Sequence, residues 1–456
     1  HVMIPIGPNA PEAAGEVTLP PLAVSGIRSC LEKLGVRNAE ELAELARRSL
    51  PAYRRRTSQN PTTMIPAWAQ PDAGRKLVAA LLAGRWKDTS AGDQQVLARL
   101  AGRSYDDLRN DLIRWANEPD SPLRLIGDSW FVVALEDAWS QLSRLVVDAD
   151  MARFRDVVED VLGERDPQLD LAPGDRWLAL LEGKVRSRSE DLRRGVVDVL
   201  AVLGTGLRLA TSRSDEWSER IVRKICTAIS SQERWVAIEP YLPILAEASP
   251  DPVLAAIDSG ISGNDPVLRA VLAAQQHTGV LWALETLAWS PQYLPEAAVA
   301  LVRLAALDPG GQLANRPART LRQIFLPWHA STAAPAAERL NVLDGMLSRY
   351  PDATRDLLLD LLPKYGPDTA SWTRTPKFRQ WASDRTPATS RAAVDSLYVE
   401  MARRLITDAA MDPRRWAAVI PHLSHLPRAV FDEAVAKLQE IPLEQLADEG
   451  KTPLWK

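Results

Sequence analysis

The sequence predicts an all-α chain on three observations. Apolar residues recur at steps of three and four, strand-like alternation is nearly absent, and Pro, Asp and Gly interrupt the pattern at helix-length intervals. Ile27, Leu31 and Leu34, then Leu42, Leu45 and Leu50, place apolar side chains on one face of successive helical turns. Ahead of Leu22, the segment IPIGPNAPEAAGEVTLPPL is rich in Pro, Ala and Gly and has no periodicity. Residues 1–21 therefore read as a linker with an HVM tag remnant at its start, and as a sign of a polypeptide that extends upstream.

One stretch departs from the helical pattern. SPLRLIGDSWFVV (Ser121–Val133) sets two short apolar runs around Gly127-Asp128, which predicts a β-hairpin. Three helices are predicted before it: Gly74–Leu82, Gly92–Ala101 and Ser104–Trp115. Ser104 serves the last as N-cap, and Asp106 and Asp107 lie in its first turn, where the helix dipole favours acids. Three short helices followed by a hairpin is winged-helix order, so residues 22–145 are expected to form a helical linker plus a winged-helix-like domain.

From about Leu135 onward, helix follows helix. Trp235–Leu245 aligns without gaps with Trp416–Leu426, matching Trp235 to Trp416, Pro240 to Pro421 and Leu242 to Leu423. A second amphipathic helix follows each copy, carrying Asp251, Leu254 and Ile257 in one and Asp432, Val435 and Leu438 in the other. A helical unit that buries its apolar face only against a neighbour predicts an irregular HEAT/TPR-like α-solenoid, with repeats over 146–385 and C-terminal repeats over 386–456. Trp86, Trp115, Trp139, Trp177, Trp217, Trp235, Trp282, Trp289 and Trp416 are expected inside helices, filling gaps where helices cross.

Composition bounds the function. In 456 residues, 46% hydrophobic and 25% charged, the chain has ample material for a core and the balance of a globular protein. No run approaches the roughly 20 apolar residues of a membrane span, so a cytoplasmic protein without a membrane partner is expected. The net charge of -4, with both signs mixed throughout, creates no overall field for nucleic acid. Cys30 and Cys226 each sit in an apolar helical pattern and read as small buried hydrophobes in a reducing compartment.

The sequence offers little for catalysis. Gly450-Lys451-Thr452 is the string nearest to a phosphate loop, but Gln445 stands where the first glycine belongs and no strand precedes it; Gly183-Lys184 is followed by Val185. His422 and His425 lie three apart without a nearby Cys, Asp or Glu to complete a metal site. His277 with Glu285 has no nucleophile or oxyanion donor beside it, and capping or an interhelical hydrogen bond is the expected role. No catalytic, cofactor or metal residue is assigned.

Several strings resemble a family of large bacterial STAND-type P-loop NTPases: HTGVLWALETLAWSPQYL (277–294), LVRLAALDPGGQLANRP (301–317) and LRQIFLPWHASTAAPAAERL (321–340). Upstream, RSLPAYRRR, NPTTMIPAWA, LLAGRW and PDSPLRLIGDSWFVVALEDAW add to the likeness, which runs from near residue 5 to about residue 385. The resemblance implies an upstream nucleotide-binding module that would hold ATP and Mg, a winged helix that helps control the nucleotide switch, and helical repeats that sense a trigger or assemble a complex in antiviral defence. None of the matched strings belongs to the family's phosphate chemistry.

The expected function is therefore recognition of protein partners or self-assembly. Arg54, Arg55 and Arg56 are candidate contacts to the upstream module. A nucleic-acid-binding regulator is the alternative, using Arg109, Arg114 and Arg124. It is not favoured, because Asp106, Asp107 and Asp111 offset the arginines of the candidate reading helix and Asp128 sits beside Arg124's hairpin turn. The basic cluster Lys184, Arg186 and Arg188 is expected to be a solvated helix end.

Overall fold

The computed structural model describes residues 23–36, 38–58, 65–172, 174–363, 368–382 and 390–441. Helix makes up 67% and strand 3%, so the class is all-α. No helix among the described residues is long and apolar enough to cross a membrane. The chain divides into two compact units, residues 1–64 and 65–456.

The first unit contains α1 (Val24–Lys33), α2 (Ala39–Arg48) and α3 (Leu50–Thr57). Leu31, Ala39, Leu42 and Ala43 form its small core, ringed by Val24, Ile27, Val36, Leu45 and Tyr53. Ser49 opens α3: its Oγ accepts the Ala52 N–H at 3.2 Å, and Pro51 occupies the first turn, where a missing N–H is harmless.

The second unit opens with α4 (Pro71–Ala83), β1 (Arg85–Lys87), α5 (Ala91–Ala101), α6 (Tyr105–Ala116), β2 (Leu123–Ile126) and β3 (Ser129–Val132). Ser90 and Ser104 cap α5 and α6 by accepting the Asp93 and Asp107 N–H groups. The predicted hairpin is present, closed by the two residues Gly127 and Asp128 between paired Ile126 and Ser129; Gly127 has φ 61°, which suits glycine. A third strand joins it, giving an antiparallel sheet of order β1-β3-β2. Trp86 pairs with Trp130, and the two fully buried rings stack at 5.7 Å.

The helices that follow are α7 (Leu135–Leu142), α8 (Asp148–Gly163), α9 (Glu190–Leu203), α10 (Ser214–Thr227), α11 (Gln232–Ile238), α12 (Leu242–Ala248), α13 (Pro250–Ile261) and α14 (Val267–Ala273). After these come α15 (Thr278–Ala288), α16 (Leu294–Leu307), α17 (Pro317–Phe325), α18 (Ala336–Arg349), α19 (Pro351–Leu361), α20 (Arg391–Ala409), α21 (Pro413–Leu423) and α22 (Arg428–Gln439). They stack as a two-layer solenoid: α9, α12, α15 and α17 pack successively in one row, and α8, α10, α13 and α16 in the other. β1 and α4 pack directly on α9. A Cβ on Gly195 of α9 would lie 2.2 Å from the Ala83 carbonyl oxygen and 2.5 Å from the Arg85 nitrogen, so only glycine permits the contact. One continuous core runs from Trp68 to Ile441.

In the aligned repeat pair, Trp235, Leu242 and Leu245 are buried, as are Trp416, Leu423 and Leu426. The backbones differ at the matched prolines. The chain at Pro240 tightens into a 3-10 turn (Glu239–Tyr241) that separates α11 from α12, whereas Pro421 lies within α21 near its end.

Four expectations fail. Trp289 lies one residue past the end of α15, in a turn, although it is buried as expected. Trp86 lies in a strand, and a three-residue strand is too short to show alternation in the sequence. Trp177 sits in a 3-10 turn (Arg176–Leu178) and is 74% exposed beside exposed Leu180 and Leu181, outside the core. Cys30 is exposed, on the outer side of a helix whose buried face is centred on Leu31. Cys226 is buried as expected, and burial pushes its thiol pKa up to about 12.

Candidate functional site

Residues 368–382 form a strap without helix or strand until a 3-10 turn at Gln380–Ala382. They cross the row α17, α15, α12 and α9, and a side chain from each of the first three helices accepts backbone N–H groups. The Ser371 N–H donates to Gln323 Oε1 at 2.8 Å. The Arg374 N–H donates to Glu285 Oε2 at 2.9 Å. The N–H groups of Lys377, Phe378 and Arg379 converge on Glu247 Oε2 at 2.9, 2.6 and 3.1 Å. Ser371, Arg374 and Lys377 are three residues apart. An extended chain advances about 3.3 Å per residue, so three residues span roughly the 8–10 Å between neighbouring helix axes. The periods of the strap and the helix row match.

Side chains complete the grip. Trp289 Nε1 donates to the Arg374 carbonyl at 2.8 Å, Arg379 Nε donates to the Glu247 carbonyl at 2.8 Å, and Lys377 Nζ reaches Asp198 of α9 at 3.3 Å. At the other end, Arg322 holds Asp368 with bonds of 2.8 Å to both carboxylate oxygens. Glu247 and Glu285 are buried. Desolvation pushes both carboxyl pKa values above the usual glutamate range, although the backbone donors favour the charged form.

Beside the strap lies a cavity of about 720 Å³ lined by Arg85, Arg194, Asp198, Glu239, Gln276, Trp282, Arg374 and Lys377, among others. The Arg374 guanidinium lies 5.5 Å from the Trp282 ring centroid, and Trp372 meets the same ring edge-on at 6.5 Å. Of the basic lining groups, Arg85 pairs with Asp191, Arg194 with Glu190 and Lys377 with Asp198. The cavity thus combines charged groups with an aromatic face. His277 and Glu285 do not line it. His277 Nε2 is within 2.9 Å of the Asn315 carbonyl, an inter-element bond, while Glu285 accepts from Thr320 and the strap.

The sequence-derived candidates are scattered. In the first unit Arg54 and Arg56 are exposed, whereas Arg55 is 6% exposed, so the run does not present one basic face. Arg56 lies 3.8 Å from Glu41. In the second unit Arg109 is committed internally: its Nε lies 3.0 Å from both oxygens of Asp88, which also accepts from Tyr105 and Trp130. Burial pulls the Asp88 carboxyl pKa up, but the bonds from Arg109, Tyr105 and Trp130 outweigh it and hold the pKa below the usual range. Arg114 is exposed and sits 5.2 Å from the Trp115 ring centroid, and Arg124 is exposed on β2. Lys184, Arg186 and Arg188 face Asp170, Asp166 and Glu164 at 4.0, 3.0 and 3.9 Å, as ion-paired surface groups. His422 Nδ1 contacts the Pro363 carbonyl, and no three potential metal ligands cluster among the described residues. Gly450-Lys451-Thr452 lies outside those residues.

Sequence reasoning missed Glu247 and Gln323, and weighed Glu285 only as a partner of His277. A signal was present: α12 reads LPILAEA and α15 reads TGVLWALETLA, each with a single acid in an otherwise apolar helix. Such an acid needs donors from another part of the chain. Compared with protein-family models, curated proteins and solved structures, the chain matches none.

Proposed function

We propose that this chain is the non-catalytic sensor and scaffold region of a STAND-like signalling ATPase, acting in the cytoplasm through partner recognition and assembly, in bacterial antiviral defence. The observation that carries the reading is the element order of the second unit. Helix, strand, two helices and a hairpin, the order of a winged helix, run directly into a two-layer helix stack with a shared core. That is the succession which the STAND-like strings imply. The charged and aromatic face along α9, α12, α15 and α17 supplies a surface on which many weak contacts add up.

ATP and Mg belong, on this reading, to the upstream module, and no residue of this chain is assigned to them. The test uses the natural polypeptide with its upstream coding sequence. Light scattering with and without ATP is expected to show a nucleotide-dependent change in assembly, and Arg54→Ala with Arg56→Ala to alter nucleotide affinity. An upstream sequence without a P-loop, or assembly indifferent to nucleotide, overturns the reading.

A further inference from the structure

We propose that the row α17, α15, α12 and α9 is a binding track for an extended, basic segment of a partner protein, and that residues 368–382 occupy this track in cis. The inference deepens the partner-recognition reading and rests on it for its biological meaning.

The chemistry of the track defines the occupant. Its principal grips act on backbone N–H groups, through Gln323, Glu285 and Glu247, and therefore read backbone shape more than sequence, with a bend at 377–379 that turns three successive N–H groups onto Glu247 Oε2. The face beneath the strap changes sign along its length: Asp198, Glu247 and Glu285 lie under residues 374–379, whereas Arg319 and Arg322 of α17 meet Ser371 and Asp368 at the other end. The strap is basic in return, with Arg374, Lys377 and Arg379 against the single acid Asp368. Side-chain selection adds to this: Asp198 takes an ammonium group, Phe378 is buried, and the Trp282 face accepts a guanidinium. A fitting partner segment carries unblocked N–H groups at two positions three residues apart and then at three consecutive residues, basic side chains over the acids and one aromatic anchor. Proline at a gripped position is excluded, and Pro376 of the strap falls between two such positions.

The strap peptide itself is the probe. In the full chain, residues 368–382 are replaced by a Gly/Ser segment of equal length, the fold is checked by circular dichroism, and a synthetic peptide of residues 368–382 is titrated by fluorescence anisotropy. Expected are one-to-one binding to the replaced chain, at least tenfold weaker binding to the parent, and at least tenfold weaker binding of a peptide carrying Arg374→Pro. A folded replaced chain that does not bind, or that binds the proline peptide equally well, overturns the proposal. If the replaced chain fails to fold, hydrogen exchange on the parent decides. The Ser371, Arg374, Lys377 and Phe378 amides are expected to exchange at least tenfold faster than the buried amides of α12 and α15. Exchange only with global unfolding makes the strap part of the permanent core and overturns the proposal. These readouts need no nucleotide, so their failure is separate from that of the ATPase reading.

Discussion

Asp88 near the sheet is half-buried and Glu247 beneath the strap is fully buried; both accept several hydrogen bonds, yet they are stabilised by different means. Asp88 meets a guanidinium, a phenol and an indole, all fixed by the packed pair Trp86 and Trp130. Glu247 meets three backbone N–H groups of a segment with no regular structure of its own. The first carboxyl is held below its usual pKa, the second above it. The two differ first in burial: Asp88 is only partly withdrawn from water, so a guanidinium, a phenol and an indole outweigh its desolvation, whereas Glu247 is fully buried and three backbone amides do not. The sheet region is thereby locked, whereas the strap is held by bonds that water can replace once it lifts.

The strongest way to break the comparison is Asp88→Ala. It removes the acceptor shared by Arg109, Tyr105 and Trp130, and should destabilise the chain by about 2–3 kcal/mol. Urea unfolding followed by tryptophan fluorescence measures this. A loss under about 1 kcal/mol would mean that water replaces the carboxylate, and that the hub is no more locked than the strap.

The pH response should divide along the same line. The folded-state pKa of Asp88 is depressed, so its stabilisation is complete above the ordinary aspartate value, roughly 3.9, and is lost as pH falls through the folded value. Glu247 and Glu285 have raised folded-state pKa values. Their contribution is complete below the ordinary glutamate value, roughly 4.3, and is lost as pH rises through the folded values. A tenfold difference in proton affinity between the folded and unfolded chain is worth about 1.4 kcal/mol. Strap amides should therefore exchange faster relative to the helix core as pH rises above the glutamate range, after correction for intrinsic exchange. A ratio that does not change with pH would contradict the assignment.

Glu247→Gln sharpens this with a smaller effect. The amide oxygen can take the place of Oε2 and accept the same N–H groups, while the buried charge disappears. Stability near neutral pH should change by less than about 1 kcal/mol, and the pH dependence above the glutamate range should flatten. An unchanged slope would move the titration to another group.

The two regions also differ in how far the sequence reveals them. Gly127-Asp128 between apolar runs, and Ser104 before an acidic first turn, are local signals, and the hairpin and α6 appear as predicted. Trp235 and Trp416 are buried at matched positions for the same reason, since apolar spacing within one helix sets its inner face. The strap leaves no such trace. Its partners Gln323, Glu285 and Glu247 lie 48, 89 and 130 residues away from Ser371, Arg374 and Lys377. Their alignment exists only once the helices have stacked. The commitment of Arg109 to Asp88 is hidden likewise, because β1 is too short to announce the strand that carries the chain to Asp88.

The smallest expected effect concerns Arg124, and it separates the sheet region's structural arginine from its free ones. Arg124 projects from β2 into solvent, and Arg124→Ala should change stability by less than about 0.5 kcal/mol, whereas Arg109→Ala removes a partner of Asp88 and should cost about 1.5–3 kcal/mol. Sequence-independent DNA binding draws on free cations, so with Arg109 engaged only Arg114 and Arg124 remain of the three candidates, beside the acids of α6. Anisotropy with duplex DNA at low salt should show no binding. Salt-dependent binding that weakens with both Arg114→Ala and Arg124→Ala would reinstate a nucleic-acid contact at the hairpin and make the locked sheet region, rather than the strap face, the surface that meets a ligand.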